Sequence, residues 1–501
     1  MQYNTIDEVL PVIGEFGRFQ LCTMAICLTT KIPQQMQMVI TYFLSLNPKW
    51  KCIGVSSAND SCLFTNETFS ATNQVRCSMP RNEWTYAKPT SYSVVTYYDL
   101  ACHSEWVIPM STSITLISEA VGTVIVGVLA DRYGRRPILI FSFGLMSVIA
   151  LVSIWSPTVE VFLTSRALVG FFMAGVFTLV MTLSCELVGN KYRPLTGNMV
   201  GVAICFGECV LSLLAYALED WRKLLVVSIV PFFPIVISFR WLPESTRWLL
   251  ARGRREEAET ILTRAATVNG KKLESKIILQ SKVAATQIEG KSIDLFFNTK
   301  FILQLLIQIY AFFAINTSYY GLSFISEQFG SGSLYFNFLY ASLTGLPGAI
   351  IGYFLTRYIG RKPTAVCSMC LAGIATIGIG FIPERLQILK LVLGLFAKFC
   401  SSLVFSAILV WSPELIPTLI RATTFSILAV AGRIGGGSSP WITQGLLKYG
   451  TRVPFVSLGS ITLLGGILLC FLPESKNLHI DEEERIPLLT EKKIKCNVVN
   501  T

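Results

Sequence analysis

The stretch Gly127-Val-Leu-Ala-Asp-Arg-Tyr-Gly-Arg-Arg136 lies between two long apolar runs and carries a dense group of charges. A second copy, Gly352-Tyr-Phe-Leu-Thr-Arg-Tyr-Ile-Gly-Arg-Lys362, follows 225 residues later, again between apolar runs. In both copies a glycine-framed turn collects basic side chains at the end of an apolar segment. The recurrence indicates that the chain contains two related halves.

Three further pairs of signals keep nearly the same spacing, between 224 and 230 residues. They are Arg166-x-x-x-Gly170 with Lys390-x-x-x-Gly394, Glu186 with Glu414, and Pro243-Glu-Ser245 with Pro473-Glu-Ser475. Any one pair could arise by chance. Four pairs at one offset predict two homologous halves.

The composition is that of a membrane protein. Of the 501 residues, 52% are hydrophobic and 15% are charged, and the mean hydropathy is +0.56, whereas soluble domains carry roughly 25% charged residues. The net charge of +11 fits basic cytoplasmic loops. We expect no nucleic-acid partner, because no basic segment is interleaved with aromatic residues. With two histidines and no catalytic triad, metal cluster or phosphate loop, the sequence predicts a non-enzyme without cofactor or metal.

A helix that spans a bilayer needs roughly 20 apolar residues. By that measure the fold class is an all-α membrane protein with twelve transmembrane helices in two homologous six-helix bundles. The expected spans are about 19–45, 108–130, 137–156, 158–187, 195–218, 222–242, 301–322, 333–356, 363–381, 385–411, 420–447 and 452–472.

The predicted domains follow from these spans. They are a cytosolic segment 1–18, a bundle 19–242 containing an extracellular loop 46–107, a cytosolic linker 243–300 with short helices, a bundle 301–472, and a cytosolic tail 473–501. The linker is rich in lysine and arginine, which places it in the cytosol. Since twelve is even, both termini share that side. The first twenty residues lack an apolar run, so no cleavable signal peptide is expected.

The loop 46–107 has two features of an extracellular segment. Four cysteines could close two disulfides in an unknown pairing: Cys52, Cys62, Cys77 and Cys102. Asn59-Asp-Ser61 and Asn66-Glu-Thr68 are glycosylation sequons. Together these features predict an oxidising compartment outside the cell.

Several ionisable residues fall inside the predicted spans, where charge is costly and usually faces a cavity. They are Lys31, Glu119, Arg166, Glu208, Lys398 and Arg433. Arg166 has a counterpart in Lys390, which favours a scaffold or gating role. Lys31 and Arg433 have no counterpart and are expected to face substrate. Glu119 and Glu208 could instead neutralise buried bases.

Other residues are singled out by position. Glu186 and Glu414 lie at span ends and are expected to pair with the basic turns. Tyr319 and Tyr320 offer apolar faces together with hydroxyl donors. Three further aromatic residues are weaker candidates, for which helix packing is the alternative: Phe177, Phe405 and Trp411.

The paired halves, the basic central linker and the repeated glycine turns resemble the major facilitator superfamily. Finer marks resemble its organic cation/anion/zwitterion transporter family. These are the segments Gly14-Glu-Phe-Gly-Arg-Phe-Gln20, Pro243-Glu-Ser-Thr-Arg-Trp-Leu-Leu250, Tyr319-Tyr-Gly-Leu322 and Pro413-Glu-Leu-Ile-Pro-Thr-Leu-Ile-Arg421, with the cysteine-bearing first loop.

The resemblance implies a central cavity that opens alternately to each side of the membrane. Where cation carriers of this family have an aspartate, anion and zwitterion carriers have an arginine, and this chain has Arg433. The expected substrate-binding set combines the carried-over positions with the candidates above: Arg433, Lys31, Gln34, Met38, Phe177, Met181, Tyr319, Tyr320, Phe405 and Trp411. The expected gating set is Asp131, Arg132, Arg135, Arg136, Arg166, Glu186, Arg357, Arg361, Glu414 and Arg421. Asp131 is expected to latch one state by contacting a neighbouring helix end.

The chain departs from the family's pattern in the eighth span. Gly345 stands where cation carriers have an acid, and Ala349 where anion carriers have a lysine. Thr356 replaces an aspartate in the second glycine turn, and four loop cysteines replace the usual six. The substrate class therefore stays open, and Lys31 is a candidate for the second positive charge.

We expect transport of small organic anions, by uniport or exchange, through a monomeric unit in the plasma membrane. The guanidinium of Arg433 would bind a carboxylate or sulfate. The alternatives are a zwitterion or cation carrier, a sugar-type porter, and a receptor that no longer transports. An acidic neighbour that neutralised Arg433 would remove the basis of the anion preference.

Overall fold

The computed structural model describes residues 2–3, 6–52, 76–271, 278–279, 299–329, 333–383, 385–416 and 420–475. This part of the chain is almost entirely helical. Two short strand pairs are present: Gln2–Tyr3 runs parallel to Ile278–Leu279, and Trp50–Cys52 runs antiparallel to Trp84–Tyr86. The second pair lies in the loop after the first long helix.

Twelve helical segments form two groups of six within the described residues. They are α1 Arg18–Leu44, α2 Val107–Tyr133, α3 Arg135–Val152, α4 Val159–Glu186, α5 Arg193–Leu218, α6 Trp221–Ser238, α7 Thr299–Phe324, α8 Leu334–Tyr358, α9 Arg361–Phe381, α10 Gln387–Leu415, α11 Arg421–Pro440 and α12 Arg452–Leu469. Short breaks interrupt α6 and α8.

Ten of the described helices are long and apolar enough to cross a membrane. The number rises to eleven if the helix Ile6–Ile13 and α1, which meet at a bend of 109°, form one span. The sequence predicts twelve spans, and the difference falls on the two most polar helices. α1 carries Lys31 and a run of glutamines, and α11 carries Arg433 and four glycines.

The linker contributes two short helices that pack under the first bundle. Thr246–Ala251 and Arg255–Val268 form an apolar cluster with Ile6–Ile13. Ala258, Leu262 and Ala265 are buried in this cluster because their spacing puts them on one face of the helix.

The two bundles meet through α2 against α11 and α5 against α8. The core of the first bundle also includes four aromatic residues from the second: Tyr319, Tyr320, Phe324 and Phe338. We call the end of the molecule that carries the loop after α1 the loop end, and the end that carries the glycine turns the motif end. At the loop end the halves are joined, as the stacked rings of Phe43 and Tyr335 and the 3.2 Å contact between the hydroxyls of Tyr92 and Tyr335 show.

Candidate substrate site and gate

The polar run of α1 is buried and connects to the interior of the first bundle. Lys31, Gln34 and Gln35 are at most 1% exposed. The ammonium of Lys31 donates a hydrogen bond to the side-chain oxygen of Gln34, one helical turn away. Gln35 Nε2 donates to Glu208 Oε1 at 3.0 Å. The run therefore carries Lys31, whose ammonium binds a neutral amide, and Gln35, which donates a hydrogen bond to Glu208 on α5.

The ring of Phe177 on α4 is shared by two cations. Lys31 Nζ lies 3.7 Å from the ring centroid, and Arg433 Cζ lies 4.2 Å from it. Phe177 is itself only half-buried. An aromatic face attracts cations, so this ring holds two positive groups close together at the junction of the two halves.

Arg433 is paired with an acid. Its Nη2 lies 3.1 Å from Oε1 of Glu119, and both side chains are buried. Glu119 therefore neutralises a buried base, one of the roles predicted for it, because α2 brings its carboxylate to Arg433 on α11. Arg433 alone no longer supports the anion preference. Lys31 stays as the second positive charge, so the group formed by Lys31, Arg433 and Glu119 retains one net positive charge when all three are ionised.

Glycines allow α11 to approach its neighbours closely enough for this pairing. A Cβ atom at Gly435 would lie 2.2 Å from the carbonyl oxygen of Phe313 on α7, and one at Gly437 would lie 3.0 Å from Ile117 on α2. The carbonyl of Gly437 also accepts a hydrogen bond of 2.6 Å from Ser113 on α2. The glycine run thus seats the backbone of α11 against both halves.

A second buried base lies on α10. Lys398 Nζ donates to the carbonyl of Tyr319 at 2.8 Å and lies 3.1 Å from the centroid of that ring. Lys398 is therefore tied to α7 through Tyr319. Oxygen Oε2 of Glu208 is buried and has no hydrogen-bond partner in the part of the chain that the structure describes.

Aromatic rings and a methionine sulfur connect the group around Arg433 to the region of Lys398. The hydroxyl of Tyr320 donates to the sulfur of Met38 at 3.2 Å. The ring of Tyr319 makes an edge contact with Phe405, 5.2 Å between centroids. Met181, one turn beyond Phe177 on α4, is half-buried. Eight of the ten expected binding residues are therefore linked by contacts in one region where α1, α4, α7, α10 and α11 meet.

Trp411 does not join this region. It is 1% exposed, packs in the core of the second bundle, and its indole nitrogen donates to the carbonyl of Pro473 at 3.2 Å. These surroundings agree with helix packing, the alternative role predicted for Trp411.

Arg166 is a polar contact within the first bundle. It is fully buried, and its guanidinium donates to Gln37 at 3.2 Å and to Ser153 at 3.3 Å. Gln37 in turn donates to Ser228 at 2.8 Å. These contacts tie α4 to α1 and α6, which favours the scaffold role over the gating role.

The glycine turn of the first half is held by two acids. Gly134 has φ of +109°, a conformation that favours glycine, and it separates α2 from α3. Glu244 accepts backbone hydrogen bonds at the start of α3 from Arg135 at 3.0 Å and Arg136 at 3.2 Å. The side chain of Arg135 lies 3.8 Å from Glu186. A carboxylate at a helix N-terminus is stabilised by the unpaired amides there.

The second half repeats this arrangement. Gly360 has φ of +129°. Glu474 accepts from the backbone amides of Arg361 at 3.2 Å and Lys362 at 3.0 Å. The guanidinium of Arg361 binds Glu414 through two contacts of 3.1 and 3.2 Å. Glu186 and Glu414, the acids at the span ends, thus each contact the basic turn of their own half.

The remaining residues of the expected gating set are less engaged. The carboxylate of Asp131 lies 3.0 Å from the guanidinium of Arg135, the first residue of α3, and is 72% exposed. Arg136 donates to the carbonyl of Phe239 at 3.2 Å, while Arg132 and Arg357 are exposed. The side chain of Arg421 lies outside the described residues.

The loop after α1 is described only in part. A disulfide joins Cys77 and Cys102. The side chain of Cys52, all of Cys62, and the sequons at Asn59 and Asn66 lie outside the described residues.

Comparison with known proteins gives the family. Residues 54–486 match the family described as sugar (and other) transporter. The chain is 30% identical to human organic anion transporter 3, over 95% of this chain and 92% of that protein. It is 28% identical to human organic cation/carnitine transporter 2, over 94% and 91% of the two chains. This chain belongs to the organic cation/anion/zwitterion transporter family of the major facilitator superfamily.

Solved structures confirm the major facilitator fold. The inward-open xylose transporter XylE from E. coli aligns with a TM-score of 0.64 at 17% identity, over 94% of this chain and 99% of that one. The human organic anion transporter MFSD10 aligns with a TM-score of 0.55 at 14% identity, over 90% and 99%. The protein is thus a multi-pass membrane transporter and not an enzyme.

Some residues of this transporter gained a role only from the structure. Glu244 and Glu474 cap α3 and α9, and their signal in the sequence was the repeated Pro-Glu-Ser, which indicated duplication and family but no capping role. Gln35 solvates Glu208, and Tyr335 joins the halves at the loop end. No local pattern marks Tyr335, because its partners come from the other half.

Proposed function

We propose that this transporter carries small organic anions by alternating access around the site between its halves. The first support is the charge of that site. Lys31, Lys398 and Arg433 stand against Glu119 and Glu208, which gives three bases and two acids, all buried. One net positive charge in a low-dielectric site attracts a single carboxylate or sulfate strongly.

The observation that carries this proposal is the surroundings of Lys31. Among the described contacts, its ammonium bonds to a neutral amide and faces a neutral ring, while Glu119 is taken by Arg433. The group formed by Lys31, Arg433 and Glu119 therefore keeps one positive charge in excess for a substrate's carboxylate. The aromatic groups Phe177, Tyr319 and Phe405 would hold the substrate's apolar body.

The arrangement of contacts supports alternation between two openings. At the loop end, Tyr335 bonds to Tyr92 and stacks on Phe43, so contacts there cross between the halves. At the motif end, the ion pairs of Arg135 and Arg361 each join residues of a single half. The halves would rock as rigid bodies about the central site.

Location and division into domains complete the proposal. The disulfide Cys77–Cys102 supports an oxidising, extracellular environment for the loop 46–107. Both termini and the basic linker 243–300 would then be cytosolic, with bundles at 19–242 and 301–472. The transport unit would be a monomer in the plasma membrane.

A zwitterion carrier is the second candidate. Oxygen Oε2 of Glu208 is buried without a hydrogen bond, so it could accept an ammonium group, while the bases bind a carboxylate. One relative is named an organic cation/carnitine transporter, which agrees with this candidate.

Uptake into vesicles reconstituted with the protein tests both. Four labelled solutes would be compared: an aromatic monocarboxylate, a carnitine-like zwitterion, a quaternary ammonium and a hexose. Anion transport predicts uptake of the monocarboxylate above the other two. Preference for the ammonium, uptake of a labelled hexose alone, or no uptake at all would contradict the proposal.

The first prediction concerns Lys31. Replacing it with Gln removes the excess charge, and charges attract strongly at low dielectric. We therefore expect monocarboxylate uptake to fall at least about tenfold, which corresponds to about 1.4 kcal/mol. The matched control is Lys390→Gln, a base near the end of α10, which should leave uptake unchanged. Equal uptake by both variants would contradict the role of Lys31.

A further inference from the structure

The ion pair between Glu119 and Arg433 joins the two halves at the level of the site. Glu119 belongs to α2 and Arg433 to α11, and both are buried, 3.1 Å apart. Among the described residues, neither carboxylate oxygen of Glu119 has a hydrogen-bond partner with good geometry. The carboxylate is therefore held by charge, and not by a hydrogen-bond network that fixes its position.

A buried arginine needs a counter-charge whenever the halves close around it. Removing one partner of a buried ion pair leaves the other charge uncompensated, which is strongly unfavourable. Two carboxylates can serve Arg433: the one on Glu119, and the one on a bound organic anion. Both would approach the same guanidinium, so they compete.

We propose that Glu119 is an internal substitute for the substrate's carboxylate on Arg433. Resting on the proposed anion transport, this role means that Glu119 lets the carrier close and reorient without substrate. Glu119 thereby makes the protein a uniporter and not an obligatory exchanger. It also weakens substrate binding, because the incoming anion must displace it.

Lys31 provides a place for the displaced carboxylate. The ammonium of Lys31 shares the ring of Phe177 with Arg433, and its hydrogen-bond acceptor is the neutral amide of Gln34. Moving from Arg433 toward Lys31 would keep Glu119 paired while the substrate takes the guanidinium, and the whole group would become neutral.

Two transport modes of the purified, reconstituted protein test this role. Zero-trans efflux of the labelled aromatic monocarboxylate requires the empty carrier to return, whereas exchange against the unlabelled solute does not. For Glu119→Gln we expect zero-trans efflux to fall at least about tenfold, because Arg433 would be buried without a counter-charge. Exchange should be retained, and the KM for the anion should fall, because no internal carboxylate competes.

Two further variants separate this role from a folding defect. Glu119→Asp keeps the charge and should retain zero-trans efflux. The double variant Glu119→Gln/Arg433→Gln has no unpaired guanidinium, so zero-trans efflux should recover relative to Glu119→Gln, with a raised KM. Removing a second charge would not repair a folding defect in Glu119→Gln. Recovery in the double variant would therefore exclude such a defect.

Three results would overturn the inference. An unchanged ratio of zero-trans efflux to exchange in Glu119→Gln would do so, as would an equal fall in both modes, or a double variant no faster than Glu119→Gln. These leave the proposed function intact if the wild-type protein carries the labelled anion. Failure of the wild type to carry it in either mode would instead overturn the proposed function, and this inference with it.

Discussion

At the scale of single residues, the environment of each charge decides what it can do. Arg433 and Arg166 are both arginines buried in helices, yet one meets a carboxylate across the interface and the other meets Gln37 and Ser153 within its own bundle. A guanidinium surrounded by neutral partners of the same half holds helices together. A guanidinium paired across the halves belongs to the interface that rearranges when the halves move.

Phe177 gives a prediction at this scale. Its ring lies against both Lys31 and Arg433, and each cation–π contact away from water contributes on the order of 1–2 kcal/mol. Phe177→Leu keeps a similar apolar volume but removes the ring. We expect the KM for the labelled monocarboxylate to rise about fivefold or more, measured by initial uptake rates.

The controls for this prediction lie on the same helix. Phe177→Tyr retains an aromatic face and should stay close to wild type. Phe172→Leu changes a ring that contacts Phe141, and should not alter the KM. An unchanged KM in Phe177→Leu would show that the ring does not position the two cations.

At the scale of elements, helix ends and glycines set the geometry. In both halves a glutamate from a Pro-Glu-Ser segment caps the helix after the glycine turn, Glu244 on α3 and Glu474 on α9. The turn, the cap and the arginine that follows it therefore form one unit, present twice. In the second bundle, the glycine run of α11 lets its backbone approach α7 closely.

Gly435 gives a prediction at this scale. A methyl group there would lie 2.2 Å from the backbone carbonyl of Phe313, which cannot move without shifting α7. We expect Gly435→Ala to destabilise the protein by about 1–3 kcal/mol. A lower Tm in detergent, together with loss of uptake, would report the change.

Gly127 offers the matched control. It lies within α2, and a Cβ atom there would meet no atom within 4 Å. Gly127→Ala should leave uptake intact and, since alanine favours helix, raise stability by about 0.5–1 kcal/mol. Equal Tm values for the two variants would contradict the close approach of α7 and α11.

At the scale of the whole molecule, the two halves are joined unevenly. Aromatic and hydroxyl contacts around Tyr335 connect them at the loop end, and the Glu119–Arg433 pair connects them at the centre. Ser212 adds a hydrogen bond of 2.5 Å to the carbonyl of Tyr335. The glycine turns at the motif end are stabilised within their own halves.

Tyr335 gives a prediction at this scale. Tyr335→Ala removes the stack on Phe43 and the contact with Tyr92, so the loop end should open more often. A cysteine at Met38, in a background where the exposed Cys22, Cys367 and Cys470 are serine, would report opening. We expect its labelling by a membrane-impermeant maleimide, added on the loop side, to rise about threefold or more.

Tyr340 provides the comparison on the same helix. It is 43% exposed, and Tyr340→Ala should leave the labelling rate unchanged. Labelling that rises equally in both variants would indicate general loosening of α8. Labelling that rises in neither would mean that Tyr335 does not hold the loop end closed.

The sequence by itself determined the duplicated halves, the helical membrane fold and the family. These depend on apolar run length and on short motifs, and both are local properties of the chain. It also identified Lys31, Glu119, Glu208, Lys398 and Arg433 as exceptional, because isolated charges stand out in an apolar run.

Only the tertiary structure decided how those charges pair. Glu119 and Arg433 are 314 residues apart, and nothing near either residue names the other. Their contact depends on α2 packing against α11, where glycines let the backbones approach. Electrostatic energy depends on distance in space, so the partner of a buried charge, and whether Arg433 is free or paired, is fixed by how the helices pack.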